Sequence, residues 1–105
     1  MPVLTVDGRT YEVDEDCFLM DPEIWNDQVA MDFATTEKVF DMQDDHWKLV
    51  RYIRKYYEAY GIAPMVRKVT REIGFDTDKM YQLFPSGPAK GACKVAGLSK
   101  PAGCV

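Results

Sequence analysis

Gly61, Gly74, Pro85 and Gly97 cut the second half of this chain into short pieces. A glycine after an apolar-periodic run is a common end to a helix, and proline cannot continue one. Between these stops the apolar residues recur at helical spacing. Asp44-Asp45 precede a long helix whose stripe is Trp47, Val50, Ile53, Tyr57 and Tyr60, with Arg51, Arg54 and Lys55 falling largely on the other side. Pro64 begins a third helix bearing Met65, Val66, Val69 and Ile73, and Asp76 or Thr77 caps a fourth with Met80, Leu83 and Phe84. Upstream, Asp21-Pro22 opens a first helix, with Trp25, Val29 and Phe33 on its buried face. A chain divided in this way is predicted to be a small, mainly α bundle. Its third and fourth helices, joined by Gly74-Phe75-Asp76, form a helix-turn-helix-like pair.

The β content is minor and lies at the start. Asp7-Gly8 is a strong two-residue turn signal, and Leu4, Val6, Tyr11 and Val13 would share one apolar face of a hairpin over residues 1–13. A lone hairpin is marginal in water, so that face must rest on the helices. With no linker or repeat between these elements, residues 1–105 read as one domain, with the helical core at 22–96. An apolar fraction of 47% says globular, and the length allows a core without cross-links or a metal.

Past Gly97 the pattern changes. Pro101 and Gly103 punctuate the segment, and nothing from Ser99 onward has the periodicity needed to dock a face. Residues 97–105 are therefore predicted to form a mobile arm, which carries Cys104. From about Gly97 the thiol could reach roughly 25 Å at ~3.3–3.6 Å per residue. Cys93 sits differently. Ser86 is a good N-cap, Pro88 falls in the first turn, and Ala89, Ala92, Cys93 and Ala96 make a small-residue stripe before Gly97. One thiol is held on a helix and the other swings on a tether. Backbone order parameters should fall below ~0.6 after about Gly97.

Several other chemistries are weighed down by the residues themselves. Net charge is −4 with a pI near 4.9, which argues against general nucleic-acid binding. Arg67, Lys68 and Arg71 could touch phosphate, but the would-be recognition helix opens Asp76-Thr77-Asp78. The basic residues are read as a solvated face or a dock for an acidic partner. His46, the single histidine, sits at a helix start where capping is commoner than catalysis, and three scattered cysteines without a C-x₂-C pair make a poor zinc site. Cys17 follows three carboxylates that disfavour its thiolate, and is read as a partly buried bystander. Cys104 should accordingly alkylate before Cys93, and well before Cys17. No signal peptide or long apolar run is present, so the chain reads as cytoplasmic and not membrane-embedded, where cysteines are more often redox-active than structural.

The run G-P-A-K-G-A-C-K-V-A-G-L (Gly87–Leu98) followed by K-P-x-G-C-V (Lys100–Val105) resembles the C-terminal arm of the DsrC/TusE family of sulfur-carrier proteins. The resemblance covers nearly the whole chain, including the Asp7-Gly8 hairpin and the His46-Trp47 helix start. It departs at Ser99 and Ala102, where the family pattern has Pro and Thr, and keeps both thiols. Members with the upstream cysteine, as here, resemble the gamma subunit of dissimilatory sulfite reductase. The resemblance implies that the chain is not an enzyme by itself. Cys104 would accept sulfite-derived sulfur at the reductase alpha and beta subunits, and Cys93 would close on it as a trisulfide. A membrane-bound reductase complex would then reduce that bridge. It also implies that this chain binds no cofactor, the siroheme and iron–sulfur cluster belonging to the partner. Two other readings stay open: a TusE-like persulfide relay for tRNA thiolation, and a helix-turn-helix DNA-binding regulator.

Overall fold

The computed structural model describes residues 2–85, 87 and 90–98, with Lys90 followed through its backbone alone. Strands β1 (Val3–Val6) and β2 (Arg9–Glu12) pair antiparallel, with Leu4 opposite Tyr11 and Val6 opposite Arg9. Asp7 and Gly8 both take positive φ, +49° and +81°, as the tight hairpin turn requires. A 3₁₀ turn (Pro22–Ile24) follows, then α1 (Asp27–Thr36), α2 (Asp44–Tyr60), α3 (Val66–Ile73), α4 (Thr77–Leu83) and α5 (Lys90–Val95). The mainly α architecture with an N-terminal hairpin is the one expected. Among the described residues, no helix is long and apolar enough to cross a membrane.

The first helix is a correction. Asp21 does cap, accepting the Glu23 N–H at 3.1 Å, but only a single 3₁₀ turn follows before Trp25 goes extended. Asn26 then starts α1 afresh, its side chain accepting the Val29 N–H at 3.0 Å. Two competing N-caps lie five residues apart, and the second begins the continuous helix. Helix α2 departs from expectation at its far end. Leu49, Val50 and Ile53 are buried, but Tyr60 is 67% exposed. There the helix runs past the core, and Tyr52, Tyr56 and Tyr60 pack on one another along its outer side.

Helix α1 divides the interior. Its Val29 and Phe33 meet Tyr11, Val13 and Leu19 beneath the hairpin, while Ala30 and Ala34 join the main core with Phe18, Leu49, Val50, Phe84 and all of the apolar side of α5. The hairpin is fastened by charge as well as by apolar contact. Arg9 lies on its inward face and grips Asp32 of α1 with two bonds of 2.8 and 2.9 Å, and Tyr11 and Gln28 donate to the same carboxylate. Asp32 is only 3% exposed, so an unpaired charge there would be costly.

Hydrogen bonding from Arg9, reinforced by Tyr11 and Gln28, holds the Asp32 carboxyl down from 3.8 to about 2. The folded state therefore binds this proton less readily than the unfolded chain. The stability it lends is complete above pH ~4 and lost as pH falls through 2. The shift corresponds to ~2 kcal/mol at most, less because Arg9 is partly exposed to screening solvent. Asp32→Asn should remove about 1–2 kcal/mol near neutral pH and flatten the acid limb of a stability–pH curve. An unchanged acid limb in urea titrations between pH 2 and 5 would exclude this account.

Candidate functional site

The chemistry foreseen for this chain rests on two thiols, and Cys93 is the one within the described residues. It lies on α5, and residues 91–98, from that helix through the turn after it, are buried throughout. A helix buried on every side needs small residues to pass close to its neighbours, and Gly91, Ala92 and Ala96 serve that end against α1 and α2. Cys93 itself is 2% exposed. Ala96 lies in the same core, as the small-residue stripe predicts; Ser86, Pro88 and Ala89 lie outside the described residues.

The helix stops in a Schellman turn. Gly97 takes φ +77°, its N–H reaches Lys94 O at 3.1 Å, and the Leu98 N–H reaches Cys93 O at 3.1 Å. Leu98 is fully buried, so the packed domain continues one residue further than the expected start of the arm. Residues 99–105, with Cys104, lie outside the described residues.

Two side chains from far upstream hold this turn. The Trp25 indole N–H donates to Val95 O at 2.9 Å. Arg54 donates to Ala96 O at 3.3 Å and to Pro22 O at 2.7 Å, while its Nε reaches Glu58 at 3.1 Å. The guanidinium lies 4.9 Å from the centre of the Trp25 ring and 5.8 Å from that of Tyr57. Two carbonyls at the end of α5, without partners inside their own helix, are satisfied in this way. Gly97 fits against the same indole: a Cβ there would lie 2.3 Å from Trp25 Cδ1. Beside the thiol, Lys94 meets Glu37 of the α1 terminus at 3.3 Å, both side chains nearly inaccessible.

Arg54 was expected on an outward basic face, solvated or docked to an acidic partner, yet its side chain is only 12% exposed. A contact spanning 42 residues leaves no local pattern to read, and the same holds for Trp25–Val95 across 70 and Lys94–Glu37 across 57. The legible signs here were Gly97, as the stop of the helix, and the small-residue stripe of Ala92, Cys93 and Ala96.

His46 behaves as a cap. Its Nδ1 accepts the Gln43 N–H at 3.1 Å and its Nε2 lies 3.0 Å from Leu83 O, which fixes Nε2–H as the neutral tautomer. Burial, the largest influence, pushes its pKa below the usual histidine value. Among the described residues, no group of three or more His, Cys, Asp or Glu could hold a metal. The α3–α4 pair turns at Gly74 (φ +87°), and Asp76 caps α4 by accepting the Lys79 N–H at 2.8 Å. The entry of α4 thus presents Asp76 and Asp78, a poor surface for phosphate.

Cys17 corrects the sequence reading. It is exposed, in a left-handed conformation with φ +67°. The Asp14 carboxylate accepts from the N–H groups of Asp16 and Phe18, curling the loop so that Phe18 enters the core and Cys17 turns out. The expected alkylation order of these two thiols is therefore reversed. Under native conditions Cys17 should take iodoacetamide well before Cys93, which reacts only as α5 opens. Peptide mapping of a time course checks this, and early labelling of Cys93 would contradict the burial.

The family model described as DsrC like protein matches residues 5–105. The dissimilatory-type sulfite reductase subunit gamma of Nitratidesulfovibrio vulgaris is 45% identical, with both chains covered in full. The sulfurtransferase TusE homolog of Haemophilus influenzae is 34% identical across 98% of this chain and all of its own. In three dimensions, the oxidized gamma subunit of the dissimilatory sulfite reductase from Archaeoglobus fulgidus superposes with a TM-score of 0.85 at 41% identity, covering 99% of this chain and 100% of that one.

Proposed function

This chain belongs to the DsrC-like family, and on that premise we propose that it is a sulfur carrier of a dissimilatory sulfite reductase system, a co-substrate rather than an enzyme by itself. The observation that carries the reading is the placement of Cys93. It is built into a helix anchored on all sides, one Schellman turn before the segment bearing Cys104. Leu98, which is buried, is the last of the described residues. From there six residues lead to Cys104, so the thiol serves a site within roughly 20 Å of that point at ~3.3–3.6 Å per residue.

Cys104 accepts the sulfur at the active site of the partner's alpha and beta subunits, and Cys93 resolves the adduct. The balance is one sulfite, two thiols, two electrons and four protons giving a Cys93–S–Cys104 trisulfide and three waters. Sulfite sulfur gains four electrons, two from the reductase and two from the thiols. Reduction of the bridge by four electrons and four protons, at a membrane-bound complex, returns both thiols and releases hydrogen sulfide. Siroheme and iron–sulfur chemistry belong to the partner, and the cycle runs in the cytoplasm. A tethered second thiol outcompetes free thiols because its effective concentration is high.

Intact-mass analysis of the wild-type chain, after turnover with a dissimilatory sulfite reductase, sulfite and limiting reductant, tests the reading. The expected product is an intramolecular bridge one sulfur heavier than the disulfide. A chain that leaves such a reaction with both thiols unchanged is not the carrier.

A further inference from the structure

The hairpin turn, one side of α1, the loop after α1 and the start of α2 enclose an open groove of about 270 Å³. None of its lining comes from α5. Its apolar walls are Val6, Met31, Phe40, Met42 and Trp47, with Phe40 79% and Met31 41% exposed. The fold itself turns Phe40 out. Helix α1 ends in a left-handed Lys38 (φ +63°), and the Val39 N–H returns to Ala34 O at 2.9 Å, which seats Val39 in the core and leaves its successor outside. The far end of the loop is held as well. The Gln43 side chain donates to the Asp41 carboxylate at 2.6 Å, and its backbone N–H goes to His46. Below, Arg9 is fixed on Asp32 by its two bonds. The walls are therefore set before anything binds, which lowers the ordering cost of association.

The charge of the groove is one-sided. Asp7, Asp32 and Asp41 line it against a single guanidinium, that of Arg9, which is engaged by Asp32 at 2.8 Å and by Asp7 at 3.8 Å. Asp41 pairs with no cation among the described residues. Arg51 lies 4.9 Å from the centre of the Trp47 ring, but is itself paired with Asp27 at 3.2 Å. We propose that this groove docks a basic segment of a partner protein. An apolar side chain of that segment sits among Met31, Phe40, Met42 and Trp47, and a lysine or arginine beside it faces Asp7 and Asp41. The volume falls below the ~300–1,000 Å³ of small-molecule pockets and suits an anchoring side chain, while the methionines adapt to its shape. An acidic partner would meet like charge at the rim, and a second copy of this chain brings its own net −4.

The test titrates the full, reduced, nitrogen-15-labelled chain with a short peptide that carries a central phenylalanine between arginines and lysines. Amide shifts should saturate and be confined to residues 6–9, 28–35 and 39–47. Phe40→Ala should weaken binding about tenfold, as loss of an anchoring contact does. Asp41→Lys should weaken it more than Asp41→Asn, and the gap between the two should narrow in high salt. Phe40 and Asp41 are both exposed, so these variants keep the fold, which unchanged shifts away from the groove verify. Two further peptides, one with alanine for the phenylalanine and one with glutamates for the cations, should each bind far more weakly. Equal binding of the alanine peptide would reduce the groove to a patch of negative charge and overturn the inference. So would saturable shifts elsewhere on the domain, no saturable shift at all, or parent-like binding by Phe40→Ala. Shifts in the groove that grow with the chain's own concentration, before any peptide is added, would make it a contact between copies and overturn the inference too.

Discussion

Cys104→Ala is expected to abolish sulfur loading by the reductase, whereas Cys93→Ala should still be loaded and then stall. In the stalled variant the adduct should remain an open persulfide or similar form on Cys104, labile to added thiol. The difference follows from where the two thiols sit. Cys93 is shut inside the main core at 2% exposure and cannot itself be presented to a partner's buried site. On the proposed reading it would act on what is brought to it, by attack of its thiolate on the sulfur carried by Cys104. Intact masses of the wild type and both variants, taken after the same turnover, distinguish the three species. Wild-type behaviour from Cys93→Ala would make the chain a carrier that works with one thiol. Loading of Cys104→Ala would remove the arm from the mechanism.

The largest loss of stability is expected from Glu37→Ala. Lys94 is 8% exposed and reaches Glu37 at 3.3 Å, with its ammonium 5.4 Å from the centre of the Phe18 ring. Removing that carboxylate strands a cation between α5 and α1, at a cost of about 3–5 kcal/mol. Against a total of roughly 5–15 kcal/mol for a domain of this kind, that is a large share. It should lower the melting temperature by ~15 °C or more. Glu37→Leu with Lys94→Met, which removes both charges and keeps apolar volume, should recover most of the loss. Thermal melts of the single and double variants decide the matter. A single-variant loss under about 1 kcal/mol would mean that water reaches the lysine and the pair carries little.

The parts of the fold that could be read in advance are those whose cause is local. Asp7-Gly8, Gly61, Gly74 and Gly97 all have the positive φ their positions call for, and Asp76 caps α4 as expected. The misreadings arose where two local signals competed or where burial depends on distant chain. Asp21 and Asn26 are both sound N-caps, and no periodicity near them says which begins the continuous helix. Tyr60 keeps the spacing of the α2 stripe but lies beyond the core that would cover it. Arg9, alternating onto the inward face of β2, and Arg54, beside the stripe of α2, look like surface cations until Asp32 and Ala96 are brought to them. Of the candidate site, the anchored thiol and the glycine that ends its helix were legible; its clamp was not.

The burial of α5 has a consequence for the life of the chain before it has any function. The pairings that seat this helix span 42 to 70 residues, so they form late compared with the turns and caps. On a ribosome, the hairpin and the first four helices emerge while the segment that must fill the space between α1 and α2 is still being made. Until it arrives, Ala30, Ala34, Val50 and their neighbours lack their covering layer. A nascent chain at that stage offers an apolar trough to any other apolar surface, including that of a second nascent chain. The helix that supplies the thiol is thus also what closes the domain against aggregation, and substitutions that loosen it should show first as poor yield of soluble protein during synthesis.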